Sequence, residues 1–253
     1  MTDKPTSETP PTDGGIKETF RTLLLAMLIA LSIRTLAFEP FNIPSSSMVP
    51  TLLIGDYLFV SKYSYGYGNM GTFWGLIPFK GRLLGNEPKR GDVVVFKTPR
   101  DNTTDYIKRL IGLPGDTVQM RQGILYINGV PVDRDRLQHP LTGEQLPPVR
   151  TATTDYQETL PGGVTHIIRK EGDNMPLDNT DVFVVPAHHY FFMGDNRDNS
   201  QDSRTKMVGF VPEENLVGHA EFLFLSLSDG APFWQFWKWP TSVRWDRLFT
   251  KIR

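Results

Sequence analysis

Cysteine is absent from this chain. That removes a thiol nucleophile, a disulfide framework and a cysteine zinc site, but leaves the compartment open, because exported proteins also fold without disulfides. An excess of either charge is missing too: 27 basic residues against 28 acidic ones leave a net charge of -1. With no long basic run, nucleic acid is not an expected ligand. The five histidines, His139, His166, His188, His189 and His219, make no HExxH or similar ligand spacing. They read as ordinary surface or strand residues, and neither metal nor other cofactor is expected. There is no internal repeat, and no low-complexity tract outside the first residues. At 253 residues the chain has room for one substantial domain, or a domain with a smaller lobe, plus a tail.

Long hydrophobic runs are nearly absent as well. Residues 1–18 carry prolines, glycines and small polar residues, too little apolar surface to offset the entropy of ordering, and read as a flexible cytoplasmic tail. The run Thr22 to Ile33 follows, twelve residues bounded by Arg21 and Arg34. At 1.5 Å per residue it reaches only about 18 Å, and Phe20 to Phe38 about 28 Å if Arg34 snorkels. An uncleaved single-pass anchor over 19–38 is the expectation; a signal peptide cut after Thr35-Leu36-Ala37 and a buried core helix are the alternatives. Lys17 and Arg21 assign the tail to the cytoplasm and the bulk of the chain to the outer face.

Beyond residue 39 the pattern is of short strands and turns. Asp56 to Val60, Asp92 to Phe96, Asp105 to Ile111, Val164 to Ile168, Val182 to Met193 and Phe222 to Leu225 read as strands, and Asn128-Gly129 is a strong hairpin-turn signal. The expected fold is all-β, mainly antiparallel. A main domain over 39–116 and 187–253 carries an inserted smaller β lobe over 117–186, and one N-terminal helix precedes it. The aromatic stretch Tyr63 to Arg82, with Phe73, Trp74 and Phe79, either caps the core or touches a membrane interface. Trp234, Trp237, Trp239 and Trp245, mixed with Lys238, Arg244 and Arg247, have the composition of a membrane-surface segment; a partner or the domain's own base are other covers for it.

Three stretches carry chemistry. Ser45, Ser46 and Ser47 sit between Pro44 and Pro50, which favour a short, rigid presentation; in extended backbone Ser45 and Ser47 point one way and Ser46 the other. In Asp105 to Ile111, alternation puts Lys108 on a face with Tyr106 and Leu110, and Arg109 opposite with Ile107 and Ile111. A lysine on an apolar face loses hydration of its ammonium, so its pKa falls and the neutral amine becomes available as a base. Lys62 and Lys97, at strand ends, read as snorkelling. The acidic loop Gly194 to Arg204 fails the EF-hand pattern, with Arg197 and Ser200 or Met207 where ligands or glycine belong. It reads instead as a self-satisfied hydrogen-bonded turn supporting a site.

Ser47-Met48-Val49-Pro50-Thr51-Leu52 with Gly55-Asp56, Lys89-Arg90-Gly91-Asp92-Val93-Val94, Tyr106-Ile107-Lys108-Arg109 with Gly112-Leu113-Pro114-Gly115-Asp116, and Gly194-Asp195-Asn196-Arg197-Asp198-Asn199-Ser200 with Asp202-Ser203-Arg204 together resemble the bacterial type I signal peptidases. The resemblance implies a Ser-Lys serine protease of the cytoplasmic membrane that removes signal peptides from exported preproteins at the outer face; a monomer that meets membrane lipid and needs no cofactor is expected. It gives Ser47 as nucleophile, Lys108 as general base, and Ser45 with the Ser47 N–H as the oxyanion hole. Ser200 orients the lysine, with Asp202 and Arg204 supporting. Phe41, Ile43, Pro44, Met48, Leu52, Leu58, Val95, Tyr106 and Ile107 fall at its substrate positions, which accept small side chains at the first and third residues before the cut. Two departures from the family pattern, Thr205 to Val208 and Gly218-His219-Ala220, lie away from the dyad. The competing reading is a membrane-tethered, non-enzymatic β domain that binds a partner through its aromatic segments, with Lys108 exposed.

Overall fold

The computed structural model describes residues 15–68, 82–83, 85–138, 153–228 and 234–253. Phe73, Trp74, Phe79, His139 and the tail before Gly15 lie outside the described residues.

An uninterrupted stretch without proline or glycine makes one helix, Ile16–Leu36. It begins inside the expected tail and stops short of the expected end of the anchor: Phe38 already pairs with Ser61 in the main sheet. Phe20, Leu23, Leu25, Met27, Leu28, Ile29, Leu31 and Ile33 are exposed along it. Among the described residues no helix is long and apolar enough to cross a membrane.

The rest is mainly antiparallel β. The main sheet has seven strands, in spatial order Phe38–Asn42, Asp56–Ser61, Leu216–Ser226, Val93–Lys97, Asp105–Gly112, His189–Met193 and Val211–Pro212. Period-2 patterning sets which face is covered, as along Asp56–Ser61, where Asp56, Leu58 and Val60 are buried and Tyr57 and Phe59 less so. The expected closing strand proves longer than its apolar core, because Leu216–Ser226 pairs on both edges and shifts register three times. Such bulges increase local twist and curl a sheet.

Between Gly112 and His189 the chain forms two smaller antiparallel sheets. One orders Phe183–Val184, Thr117–Arg121, Ile124–Ile127 and Val130–Pro131; the other orders Asp133–Arg136, Thr154–Thr159 and Thr165–Lys170. Asn128-Gly129 joins Ile124–Ile127 to the short Val130–Pro131, at φ of 54° and 77°. Gln122-Gly123, which composition did not flag, makes a second tight turn with positive φ at both residues.

Three apolar clusters hold these layers together. Ile43, Met48, Leu52, Leu58, Val93, Val95 and Ile252 form the first, beneath the serine turn. Ile111, Phe191 and Met193 of the main sheet join Val118, Met120, Leu125 and Ile127 of a smaller one in the second. Val94, Phe96, Leu110 and Phe192 centre the third. Each such side chain stabilises the fold by about 1.5–3 kcal/mol when wholly buried, so the strand bearing Lys108 is fixed from both faces.

Candidate active site

The serines occupy a loop between two paired strands. Its neck is closed by Ile43 N–H donating to Asp56 O at 2.8 Å and Gly55 N–H donating to Ile43 O at 3.0 Å. Within it Val49 N–H donates to Ser46 O at 3.1 Å and Leu52 N–H to Met48 O at 2.9 Å, so the backbone turns rather than extends. The turn still separates the hydroxyls as alternation did: Ser45 Oγ lies 3.4 Å from Ser47 Oγ, while Ser46 Oγ accepts from Asn199 Nδ2 at 3.1 Å.

Across the cleft the fifth main-sheet strand presents Lys108. Its Nζ lies 2.7 Å from Ser47 Oγ and donates to Ile107 O at 2.9 Å, and the side chain is 4% exposed. Burial lowers its pKa to about 8, against an opposing pull from the charges of Asp202 and Asp195. At that value a useful fraction of the amine is neutral near physiological pH, which an exposed lysine does not offer. Lys62 is not the snorkelling lysine expected: it is buried and paired with Glu39 at 2.8 Å. Lys97 pairs with Asp105 at 3.0 Å.

On the opposite face of the Lys108 strand, Arg109 is entirely buried and grips Asp195 with two hydrogen bonds of 2.8 and 2.7 Å. Burial raises the Asp195 pKa, but the Arg109 charge and hydrogen bonds outweigh it and leave the group below the usual carboxylate range. Asp202 behaves likewise: desolvation is outweighed by the Arg204 guanidinium and by the Gly194 N–H, which donates to it at 3.0 Å. The acidic loop is therefore self-satisfied only in part. Gly194 N–H and Arg204 serve Asp202, and Arg204 Nη2 donates to Arg197 O, within the loop; Asp195 is neutralised by Arg109, Asp198 by Lys170 at 2.9 Å, and Arg197 by Glu158, all from outside it. Among the described residues no group of acidic or histidine side chains is arranged to hold a metal.

Ser200 is buried, and no hydrogen bond joins its Oγ to Lys108; its hydroxyl is directed to Asp202 and helps hold that carboxyl below the usual range. Ser200 also packs against Gly194, where an added Cβ would stand 2.3 Å from Ser200 Oγ and 2.4 Å from Ser47 O. Glycine is required there for the acidic loop to reach the serine turn.

A cleft of about 490 Å³ runs past this centre, lined by Phe41, Ile43, Pro44, Ser45, Ser47, Val95, Tyr106, Ile107 and Lys108, with Asn199 and Gln201 at its polar side. Met48, Leu52 and Leu58 do not line it. They are wholly buried in the cluster under the turn: the turn directs the serines outward and Met48 and Leu52 inward, and Leu58 lies on the covered face of the strand Asp56–Ser61.

Sequence reasoning also missed Asp56 and Asn196. Asp56 accepts from Ser226 Oγ at 2.6 Å, from Leu53 N–H at 2.8 Å and from Arg247 Nη2 at 2.5 Å. Arg247 also donates to Thr51 O at 3.1 Å and Arg244 to Ile54 O at 3.1 Å, so the C-terminal arginines grip the base of the serine loop. Asn196 meets the loop from the other side through Ser46 O and Ser47 O. The Gly-Asp and Gly-Asp-Asn runs were visible; their long-range partners were not.

Comparison with known proteins agrees with the resemblance drawn from the motifs. The profile described as signal peptidase, peptidase S26 matches residues 16–225. Signal peptidase I of Rickettsia conorii is 40% identical over 271 residues, covering 100% of this chain and 98% of its own. That of Rickettsia typhi is 40% identical over 260 residues, covering 95% and 96%. A solved signal peptidase I from Enterococcus faecalis is 30% identical and aligns over 53% of this chain and 97% of its own, with a TM-score of 0.30. Full-length identity at this level, together with the profile match, makes the chain a member of the signal peptidase, peptidase S26, family.

Proposed function

We propose that the chain is a membrane-bound serine endopeptidase that removes signal peptides from exported preproteins with a Ser47-Lys108 dyad. The observation that carries this is the 2.7 Å approach of a buried Lys108 Nζ to Ser47 Oγ. Neutral Lys108 takes the Ser47 proton as Oγ attacks the scissile carbonyl. The oxyanion meets the Ser47 N–H and the Ser45 hydroxyl, the lysine proton passes to the leaving amine, and water, deprotonated by the neutral Lys108 so regenerated, frees the acyl group from Ser47 Oγ. Phe41, Ile43, Pro44, Val95, Tyr106 and Ile107 give the cleft walls that suit small apolar side chains in an extended peptide.

The 117–186 segment is the inserted lobe of this enzyme and the Ile16–Leu36 helix its anchor, with the catalytic domain on the outer face. The helix's exposed apolar side chains support contact with lipid. So does the C-terminal segment, which turns Arg244 and Arg247 inward to Asp56 and leaves Trp237, Trp245 and Phe249 more than half exposed. The partner-binding reading needed an exposed Lys108, and at 4% exposure it loses that support.

Incubating the detergent-solubilised protein with a preprotein tests the proposal. Cleavage by the parent, and its loss in both Ser47→Ala and Lys108→Ala with folding retained, is expected. Full activity in either variant overturns the dyad, and recovery of the protein outside the membrane fraction overturns the anchor.

A further inference from the structure

Outside the dyad, one buried polar residue bonds the backbone on both sides of the nucleophile, once through its side chain and once through its main chain. Asn196 is 2% exposed. Its Nδ2 donates to Ser46 O at 3.2 Å and its backbone N–H donates to Ser47 O at 3.1 Å. Its Oδ1 is buried without a hydrogen-bond partner. An amide serving only to fill space would be replaced at no loss by an apolar group of its shape, since a buried unpaired acceptor is costly.

The consequence lies in the planarity of the peptide bond. Ser46 C=O and Ser47 N–H belong to one planar unit and point in opposite directions across it. Ser46 O is held by Asn196 Nδ2 and by Val49 N–H, which fixes the rotation of that plane. Among the described residues Ser47 N–H donates to no acceptor, and Ser47 lines the cleft. The hold on Ser47 O fixes the next plane, so the nucleophile is bracketed on both sides.

Asn196 is itself braced from beyond the active site. Arg169 N–H donates to Asp195 O at 2.8 Å and Arg197 N–H to Arg169 O at 2.9 Å, pairing Asn196 with Arg169 in an isolated parallel bridge. Glu158 neutralises Arg197. Glu158 and Arg169 belong to the strands Thr154–Thr159 and Thr165–Lys170, so a small sheet far along the chain backs the residue that orients the nucleophile.

We infer that Asn196 is a positioning residue: by clamping Ser46 O and Ser47 O it aims the Ser47 N–H at the oxyanion of the tetrahedral intermediate. The inference rests on the peptidase reading above. A donor aimed at developing charge acts on the transition state more than on the bound substrate, so its disorientation lowers kcat and leaves KM nearly unchanged.

The test uses the full chain in detergent with a fluorogenic peptide bearing alanine at the first and third residues before the cut, and the matching peptide aldehyde, which adds Ser47 as a hemiacetal. Asn196→Asp keeps the volume and the backbone N–H but loses the Nδ2 donor; Asn196→Ala loses the side chain. Both are expected to lower kcat about 10- to 100-fold, within the range for losing one oxyanion donor. The aldehyde should weaken by a similar factor. The pH midpoint of kcat/KM should not move, and peptide affinity measured in Ser47→Ala should be unaltered by adding Asn196→Ala. Unchanged kcat, equal weakening of peptide and aldehyde, or a moved pH midpoint each overturns the inference. If the parent cleaves nothing, the peptidase reading fails first, a result distinct from normal rates in the Asn196 variants.

Discussion

Lys108 Nζ stands 2.7 Å from Ser47 Oγ although 61 positions separate the two residues. The fixed partner is the lysine. Its strand is paired on both edges, to Val93–Lys97 and to His189–Met193, and Arg109 nails the opposite face to Asp195. The serine is delivered to it by a loop anchored through Asp56 below and Asn196 beside.

The pH dependence of kcat/KM follows from Lys108. Only the neutral amine accepts the serine proton, so activity should rise with pH to a midpoint near the lysine's pKa of about 8 and fall roughly tenfold per unit below it. The Asp202 charge raises that pKa. Asp202→Asn should therefore shift the rising limb to lower pH, as a pH–rate profile of the residual activity would read; a shift to higher pH contradicts the electrostatic account.

Stability should improve when activity is removed at the same residue. The lysine pKa is about 8 in the folded chain against 10.5 for the free side chain. Between those values the unfolded chain holds more protons, so stability rises with pH through that window, and below it the penalty is complete, about 3 kcal/mol. Lys108→Met is expected to abolish cleavage and to raise Tm at pH 7 by several degrees. The gain should shrink as pH approaches 10.5; a lower Tm at pH 7 counts against the buried-charge penalty.

Gly194 tests how close the acidic loop must come to the serine turn. A methyl group there collides with Ser47 O at 2.4 Å and Ser200 Oγ at 2.3 Å. Overpacking of this kind costs about 1–3 kcal/mol, and displacement of the nucleophile costs on the order of 100-fold in rate. Gly194→Ala should keep its β circular-dichroism signature while kcat/KM collapses, and parental rates would mean that the loop yields freely.

Asp56 should matter to stability despite lying on the far side of the turn from the cleft. It is wholly buried, and its carboxylate gathers Arg247, Arg244, Ser226 and Leu53 N–H. Removing one member of a buried ion pair strands its partners at about 3–5 kcal/mol. Asp56→Ala should lower the urea midpoint accordingly, and Arg247→Ala by less, because Arg244 and Ser226 still serve the carboxylate. A negligible shift in Asp56→Ala would mean that the C-terminal arginines do not anchor the serine loop.

Much of the chemistry was legible along the chain because it is written in local runs. Alternation alone separated Lys108 from Arg109, and two prolines marked the serine stretch as a turn. Strand cores were visible as short β-branched and aromatic runs, yet their lengths were not: Leu216–Ser226 extends well beyond Phe222 to Leu225 because pairing on both edges, rather than propensity, sets its ends. Met48, Leu52 and Leu58 matched substrate positions by motif, but motif spacing carries no information on which way a turn, or which face of a strand, meets the cleft.

By itself, then, the sequence determined an all-β chain with one apolar helix, a lysine facing an apolar environment, and the residue types of a serine-lysine site, because periodicity and turn chemistry are local properties. Tertiary structure decided the rest. It alone set the 2.7 Å contact of Ser47 with Lys108, the exchange of partners that gives Asp195 to Arg109 and Asp198 to Lys170, the seat of Ser200 against Gly194, and the inward turn of Arg244 and Arg247. Those depend on which groups lose their water together, and buried charge finds its partner across the fold rather than along the chain.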